Sequence, residues 1–173
     1  SRRDFLKRSG LSGLGLAGSG LLHCSNRKDQ EDIANVSRRR EKAHVQRFNM
    51  SGFAAPPLEI VRVAIIGTGQ RGPAYVRNLK HIEGVEIKAL CDLRPDKLQN
   101  AKALLDATPH HPDLYTGAED WKRICERNDI DVVVLTTPFY MHAPMAVYAM
   151  NCGKHAVSEV PAAATIEECW DLV

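Results

Sequence analysis

The stretch VRVAIIGTGQRG, residues 61–72, decides the fold class of this chain. Its first six residues are a compact aliphatic and β-branched run, which is typical of a strand buried on both faces. Gly67, Gly69 and Gly72 follow in the order Gly-x-Gly-x-x-Gly. Such glycines allow a tight turn, close approach of the backbone to a pyrophosphate, and close packing of helix on strand. The stretch therefore predicts a strand, a phosphate-binding turn and a helix whose N-terminus faces the phosphates.

A second predicted strand, VEIKALCD at 85–92, ends in Asp92, 20 residues beyond Gly72. A carboxylate there can accept hydrogen bonds from both ribose hydroxyls of an adenosine and would repel a 2′-phosphate. The sequence therefore favours NAD over NADP, although Arg94 lies close by and weakens that preference slightly. The alternative for Asp92 is a turn or N-cap residue before the next helix.

The chain then alternates helices and strands. The first helix is expected to carry Val76, Leu79 and Ile82 on one face, and a later helix Trp121, Ile124 and Cys125. The other predicted elements are a helix at 95–105, a short strand at 114–116, a buried strand at 131–138, a helix at 143–151 and a strand at 155–159. This alternation predicts an α/β fold, a Rossmann-type doubly wound parallel sheet with right-handed crossovers.

Ligands of such sheets bind beyond the carboxyl ends of the strands. The same rim as the glycine turn should therefore carry the residues that end the later strands, and the loops that follow them. These are Thr137, Pro138, Tyr140, His142, Glu159 and Val160. For His142, a helix-capping or surface position is an equal alternative.

Composition adds few constraints to this prediction. A length of 173 residues indicates one domain with appendages, and the net charge of +2 favours no particular partner. The basic run at 38–42 fits a solvated surface segment better than a nucleic-acid contact, because acidic residues are interspersed and aromatic residues are missing from it. The five cysteines show neither CxxC nor metal-ligand spacing, so we expect neither a disulfide framework nor a metal site.

The N-terminal part has a different character from the predicted domain. Residues 1–24 begin with Arg2 and Arg3 and continue into a short, glycine-rich apolar stretch, which resembles a twin-arginine export signal. The expected location is the periplasm, without a transmembrane span. Cys24 is a candidate lipid anchor, although His23 before it is bulkier than such sites usually allow. Residues 25–58 read as a linker, and residues 59–173 as the dinucleotide-binding domain.

The landmarks together resemble the Gfo/Idh/MocA oxidoreductases over residues 61–173. They are the glycine turn, CDLRPDK at 91–97, DVVVLTTP at 131–138 with a histidine after it, and GKHAVSEVP at 153–161. Most members carry Glu-Lys-Pro where this chain has Glu159-Val160-Pro161. The stretches FNMSGFAAPPLE (48–59), GTGQRG (67–72) and SEVPAAATIEECWDLV (158–173) resemble glycoside hydrolase family 109, in which Glu-Val-Pro is the usual form.

That family comprises NAD-dependent α-N-acetylgalactosaminidases and their relatives, so the resemblance implies an enzyme that binds NAD and acts on a carbohydrate. It implies transient oxidation of the sugar at C3, loss of the C2 proton, elimination of the aglycone, water addition and return of the hydride. Val160 is then expected to pack against the nicotinamide. The residues that the resemblance assigns to NAD are Gln70, Arg71, Asp92, Phe139, Tyr140, Met141, His142, Glu159 and Val160.

A substrate domain with the catalytic tyrosine and histidine is expected beyond Val173, so we assign no catalytic residue here and expect this chain alone to be inactive. The sheet should likewise be incomplete, because a doubly wound sheet usually has a sixth strand. Thr165 and Glu168 predict a capping box, with Ile166, Cys169, Trp170 and Val173 beginning an apolar face. An NAD-dependent dehydrogenase of a sugar and a non-catalytic NAD-binding protein are the alternatives. The sugar, its linkage and the oligomeric state stay open, and a homo-oligomer is compatible with the sequence.

Overall fold

The computed structural model of the protein describes residues 52–173. The expected export signal at 1–24 and most of the expected linker at 25–58 lie outside the described residues. The strands are β1 (Val61–Ile66), β2 (Val85–Cys91), β3 (Asp113–Tyr115), β4 (Val132–Leu135) and β5 (His155–Ser158). The helices are α1 (Gly72–Leu79), α2 (Pro95–Ala103), α3 (Asp120–Cys125), α4 (His142–Asn151) and α5 (Ile166–Asp171), with a 3-10 turn at Phe139–Met141.

The five strands form one parallel sheet in the order β3-β2-β1-β4-β5. The chain runs outward from β1 to β3, returns to the other side of β1 and continues to β5, so the strand order reverses between β1 and β4. This arrangement confirms the predicted doubly wound Rossmann class. The reversal leaves a crevice at the carboxyl ends of β1 and β4, which is where such sheets bind their ligands.

The core has two layers, one on each face of the sheet. Successive residues of β1 point into different layers: Ile65 packs with α1 and α2, and Ile66 packs with α3 and α4. Both side chains are at most 2% exposed. Burial on both faces explains why residues 63–66 of β1 form a continuous apolar run instead of an alternating one.

One expectation about an apolar face is wrong. Ile82 does not continue the α1 face, because α1 ends at Leu79 and Ile82 lies 51% exposed in the turn that leads into β2. In α5 the predicted capping box is present, with the Thr165 side chain accepting a hydrogen bond from the Glu168 amide. However, Ile166 and Trp170 are each 43% exposed, and Leu172, just past the helix, packs against the core instead.

Candidate functional site

A cavity of about 610 Å³ opens at the carboxyl ends of the central strands. It lies where the sequence predicts a ligand site, beside the point at which the strand order reverses. The residues predicted from the sequence that line it are Gly67, Gly69, Gln70, Arg71, Asp92, Thr137, Pro138, Tyr140 and Met141. Gly72, Phe139, His142, Glu159 and Val160 are not among the lining residues.

The three glycines of the turn meet different constraints. Gly67 has φ of +93°, and a Cβ there would lie 2.7 Å from the carbonyl group of Thr136. At Gly72 a Cβ would lie 2.1 Å from the carbonyl oxygen of Gly67, because helix and turn are in direct backbone contact. A Cβ at Gly69 would meet nothing within 4 Å, and this residue borders the cavity. The turn therefore leaves room for a ligand at Gly69 while its other two glycines pack against protein.

Asp92 is held by the backbone around it. Its Oδ2 accepts a hydrogen bond from the Thr68 amide at 2.6 Å, and its Oδ1 accepts one from the Arg94 amide at 2.9 Å. Oδ2 also accepts a hydrogen bond from the Thr68 hydroxyl at 3.2 Å. A carboxylate has about four lone-pair sites, so these three bonds leave about one site free, and Asp92 can be a turn residue and still contact a ligand. Asp92 borders the cavity, so its remaining site can accept a hydrogen bond from a ligand hydroxyl group.

Arg94, which weakens the preference for NAD, has an acidic partner of its own. Its Nη2 lies 3.0 Å from Oδ2 of Asp96, and its Nε donates to Oδ1 at 3.3 Å. The hydrogen bond from Arg94 lowers the pKa of the Asp96 carboxyl. The guanidinium beside the cavity is therefore engaged with a carboxylate in an exposed ion pair.

An ion pair joins the glycine turn to the end of β5. The Nε of Arg71 donates to Oε1 of Glu159 at 3.0 Å, although these residues are 88 positions apart in the chain. This bond lowers the pKa of Glu159, and Tyr75 on α1 adds a further hydrogen bond to the same carboxylate. Val160 follows at the rim and is 84% exposed. Arg71 and Glu159, both of which the resemblance assigns to NAD, therefore hold each other in position at the edge of the cavity.

The loop after β4 contains the aromatic pair and the histidine. Phe139 and Tyr140 are more than half exposed and meet edge to face, with ring centroids 5.9 Å apart. His142 is only 2% exposed, so its surface alternative is wrong. Its Nδ1 lies 2.8 Å from the carbonyl oxygen of Pro161, and its Nε2 lies 2.8 Å from that of Thr137. His142 therefore does not border the cavity itself, but it contacts the backbone of Thr137, which does.

Sequence reasoning missed half of the cavity wall. Gly117 and Ala118 lie in the loop that follows β3, and the strand-end rule alone would have predicted that this loop borders the site. Trp121 was expected only as part of the apolar face of its helix, whereas it both packs in the core and borders the cavity. Cys91 lies at the end of β2, and burial raises the pKa of its thiol to about 12. The lining residues that were not predicted are Ile66, Cys91, Leu93, Arg94, Gly117, Ala118, Trp121, Thr136 and Met145.

Two kinds of feature are not found in residues 52–173. No helix in this range has both the length and the apolar character needed to cross a bilayer. No three His, Cys, Asp or Glu side chains of this range come together as metal ligands.

Among curated proteins, the chain is similar to glycosyl hydrolase family 109 members. It is 54% identical over 123 residues to the α-N-acetylgalactosaminidase of Bacteroides fragilis, covering 70% of this chain and 29% of that protein. It is 39% identical over 176 residues to a glycosyl hydrolase family 109 protein of Shewanella pealeana, covering 100% of this chain and 36% of that protein. The chain thus spans about a third of the length of these relatives.

Among solved structures, the scyllo-inositol dehydrogenase of Lactobacillus casei with bound NAD(H) and scyllo-inositol matches with a TM-score of 0.54 and 26% identity. That match covers 63% of this chain and 30% of the dehydrogenase. The myo-inositol 2-dehydrogenase of Lactobacillus plantarum matches with a TM-score of 0.56 and 29% identity, over 65% of this chain and 32% of the other.

The cavity suits a dinucleotide. The room at Gly69 and the remaining acceptor site of Asp92 lie at the places where a pyrophosphate and a ribose bind in this fold. The family model for the oxidoreductase family with an NAD-binding Rossmann fold matches residues 61–173, which is most of the chain. The site and the match agree on the cofactor, and the chain belongs to this Gfo/Idh/MocA oxidoreductase family as an NAD-binding Rossmann domain.

Proposed function

We propose that this chain is the NAD-binding part of a glycosidase that hydrolyses terminal α-N-acetylgalactosaminides. The observation that carries the proposal is the 54% identity to the α-N-acetylgalactosaminidase of Bacteroides fragilis. Val160 supports it, because an apolar side chain at the rim, 84% exposed, can neither transfer a proton nor hold a charge. An ordinary alcohol dehydrogenase of this family would be expected to carry lysine at that position.

The residues of the cavity have separate tasks in this proposal. The backbone at Gly67 and Gly69, with the N-terminus of α1, holds the pyrophosphate, and Asp92 holds the adenosine ribose. Thr137 and Tyr140 line the cavity beyond β4. When bound, NAD supplies reversible hydride removal from the sugar, which makes the adjacent C–H acidic enough for elimination of the aglycone. The proton-transfer groups are expected in a substrate domain of the complete protein.

The decisive experiment follows the cofactor and the solvent hydrogen during turnover. The complete protein should release phenol from an aryl α-N-acetylgalactosaminide without net accumulation of NADH, because the hydride returns in each cycle. In deuterated water the sugar product should carry deuterium at C2. Accumulation of NADH without release of phenol would instead establish a sugar dehydrogenase. Failure to turn over any substrate would favour a non-catalytic NAD-binding protein.

Asp92→Ala provides a test of the cofactor site that does not depend on the reaction. Calorimetry on the complete protein should show the parent binding NAD well above NADP, and the variant should lose most of that preference. Equal affinities of the parent for both nucleotides would contradict the proposed role of Asp92.

We also propose that the protein is exported to the periplasm by the twin-arginine route. Support comes from Arg2 and Arg3, followed by Phe5-Leu6-Lys7 and a weakly apolar stretch. This route carries folded proteins, so NAD can be loaded before export. Changing both arginines to lysine should leave the precursor in the cytoplasm. Unchanged export of that variant, or export in cells without the translocase, would refute the proposal.

A further inference from the structure

His142 occupies a buried position between two loops of the rim. It is the first residue of α4, and the 3-10 turn before it brings its side chain into the interior, where it is 2% exposed. One loop follows β4 and contains Thr137, which lines the cavity. The other follows β5 and contains Val160 and Pro161. The ring therefore lies where it can join the segments that follow the last two strands.

Both ring nitrogens face carbonyl oxygens. Nδ1 lies 2.8 Å from the oxygen of Pro161, and Nε2 lies 2.8 Å from the oxygen of Thr137. A carbonyl oxygen only accepts hydrogen bonds, and a neutral imidazole has a single N–H. A neutral ring would therefore bond one carbonyl and bring a bare nitrogen lone pair against the other. Both bonds form together only when the ring carries hydrogen on both nitrogens.

The surroundings bear on this charged form in opposite ways. Burial of the ring and the N-terminus of α4 oppose a positive charge, while the two carbonyl oxygens favour it through charge-assisted bonds, which are about twice as strong as neutral ones. Carboxylates on the neighbouring segments are engaged elsewhere. Glu159 accepts from Arg71, and Glu168 accepts from the amides of Ala164 and Thr165. The two carbonyl oxygens are thus the hydrogen-bond partners of the His142 ring.

We infer that His142 is a positioning residue: its doubly protonated ring ties the carbonyl of Thr137 to that of Pro161 and so fixes Val160 beside the cofactor cavity. Val160 is the residue directly before Pro161 and is itself exposed, so the bond at Pro161 restrains it where side-chain packing does not. The inference depends on the proposed function only for the identity of the cofactor, NAD, beside which Val160 would lie.

The first test is spectroscopic and needs no substrate. In the complete protein with ¹⁵N-labelled histidine, the His142 ring should show two protected, hydrogen-bonded N–H signals at neutral pH. Both signals should be missing in His142→Gln, which identifies them. A single ring N–H for His142 would overturn the inference, and this measurement decides even if the glutamine variant does not fold.

The second test compares His142→Gln with His81→Gln, a change at an exposed histidine outside the site. Glutamine can keep one of the two bonds, and the loss of a charge-assisted bond should speed NAD release about tenfold. The methyl signals of Val160 should also shift. The control should keep the parent release rate and the parent signals. A folded His142→Gln protein with unchanged NAD release and unchanged Val160 signals would overturn the inference, whereas absence of glycosidase activity would count only against the proposed function.

Discussion

At the scale of single residues, Gly69 and Gly72 stand three positions apart in one motif and face opposite constraints. A Cβ at Gly72 would overlap the carbonyl oxygen of Gly67 at 2.1 Å, whereas a Cβ at Gly69 would meet no protein atom within 4 Å. At Gly72 a side chain is excluded because the backbone of the turn lies too close. At Gly69 a side chain would instead occupy the space that a ligand must enter. The two requirements can be separated by experiment.

Gly72→Ala should lower the free energy of unfolding by about 1–3 kcal/mol, because the overlap is with backbone and cannot be relieved by a rotamer change. Gly69→Ala should change stability by less than about 0.5 kcal/mol. It should nevertheless weaken NAD binding about tenfold or more, because its methyl group enters the space of the pyrophosphate. Denaturant unfolding and calorimetry on both variants check this. Equal stability of the two would show that α1 can move away from the turn.

At the scale of elements, hydrogen bonds from the residue that follows β4 stabilise the turn that follows β1. The Thr136 amide donates to the Ile66 carbonyl at 2.9 Å as the sheet continues, and the Thr136 hydroxyl donates to the Gly67 carbonyl. Gly67 itself leaves no space for a Cβ against the Thr136 backbone. The glycine turn is therefore shaped by a neighbouring strand as well as by its own glycines.

Thr136→Val keeps the shape of the side chain and removes the hydroxyl group, so the Gly67 carbonyl loses a donor. We expect a loss of about 1 kcal/mol in stability and several-fold weaker NAD binding. Thr136→Ser keeps the hydroxyl and should retain most of the parent affinity. If valine and serine variants bind NAD equally well, the hydroxyl does not shape the turn.

At the scale of the whole molecule, Arg127 holds together segments at the other end of the sheet. Its Nη2 lies 2.6 Å from Oδ2 of Asp129, and its Nη1 lies 2.6 Å from Oδ2 of Asp113 and 3.0 Å from the Tyr115 hydroxyl. These contacts connect β3 with the loop that leads into β4. The hydrogen bond from Arg127 lowers the pKa of Asp129 to about 2.

This lowered pKa predicts a component of acid denaturation. A carboxylate whose pKa is depressed by folding stabilises the protein fully above its unfolded pKa, near 3.9, and loses that contribution as the pH falls toward about 2. Because Asp129 is partly exposed, we expect about 1 kcal/mol after solvent screening. Denaturant unfolding between about pH 5 and pH 2 should show a shallower slope for Asp129→Asn than for the parent.

The matched control is Asp106→Asn, which removes an exposed carboxylate outside the Arg127 contacts. It should keep the slope of the parent. A slope that is the same in all three proteins would mean that Arg127 and Asp129 do not stabilise the fold through their charges.

The order and type of the elements could be predicted from the sequence because the determining interactions are local. Aliphatic runs bounded by glycine and proline marked the buried strands, and Thr165 with Glu168 marked the start of α5 three residues apart. The glycine spacing and the acidic end of β2 then located the dinucleotide site. The prediction for Ile82 was wrong because helical periodicity does not show where the turn into the next strand must begin.

The tertiary structure decided which of these residues meet. Arg71 pairs with Glu159 across 88 positions, and His142 reaches a carbonyl 19 positions later as well as one 5 positions before it. Such partners depend on the crossovers and on the strand order, because parallel strands bring their carboxyl ends together whatever their distance along the chain. Local patterns therefore located the rim of the sheet, whereas the assembled sheet determined that His142 is buried, that Trp121 borders the cavity and that Val160 is exposed beside it.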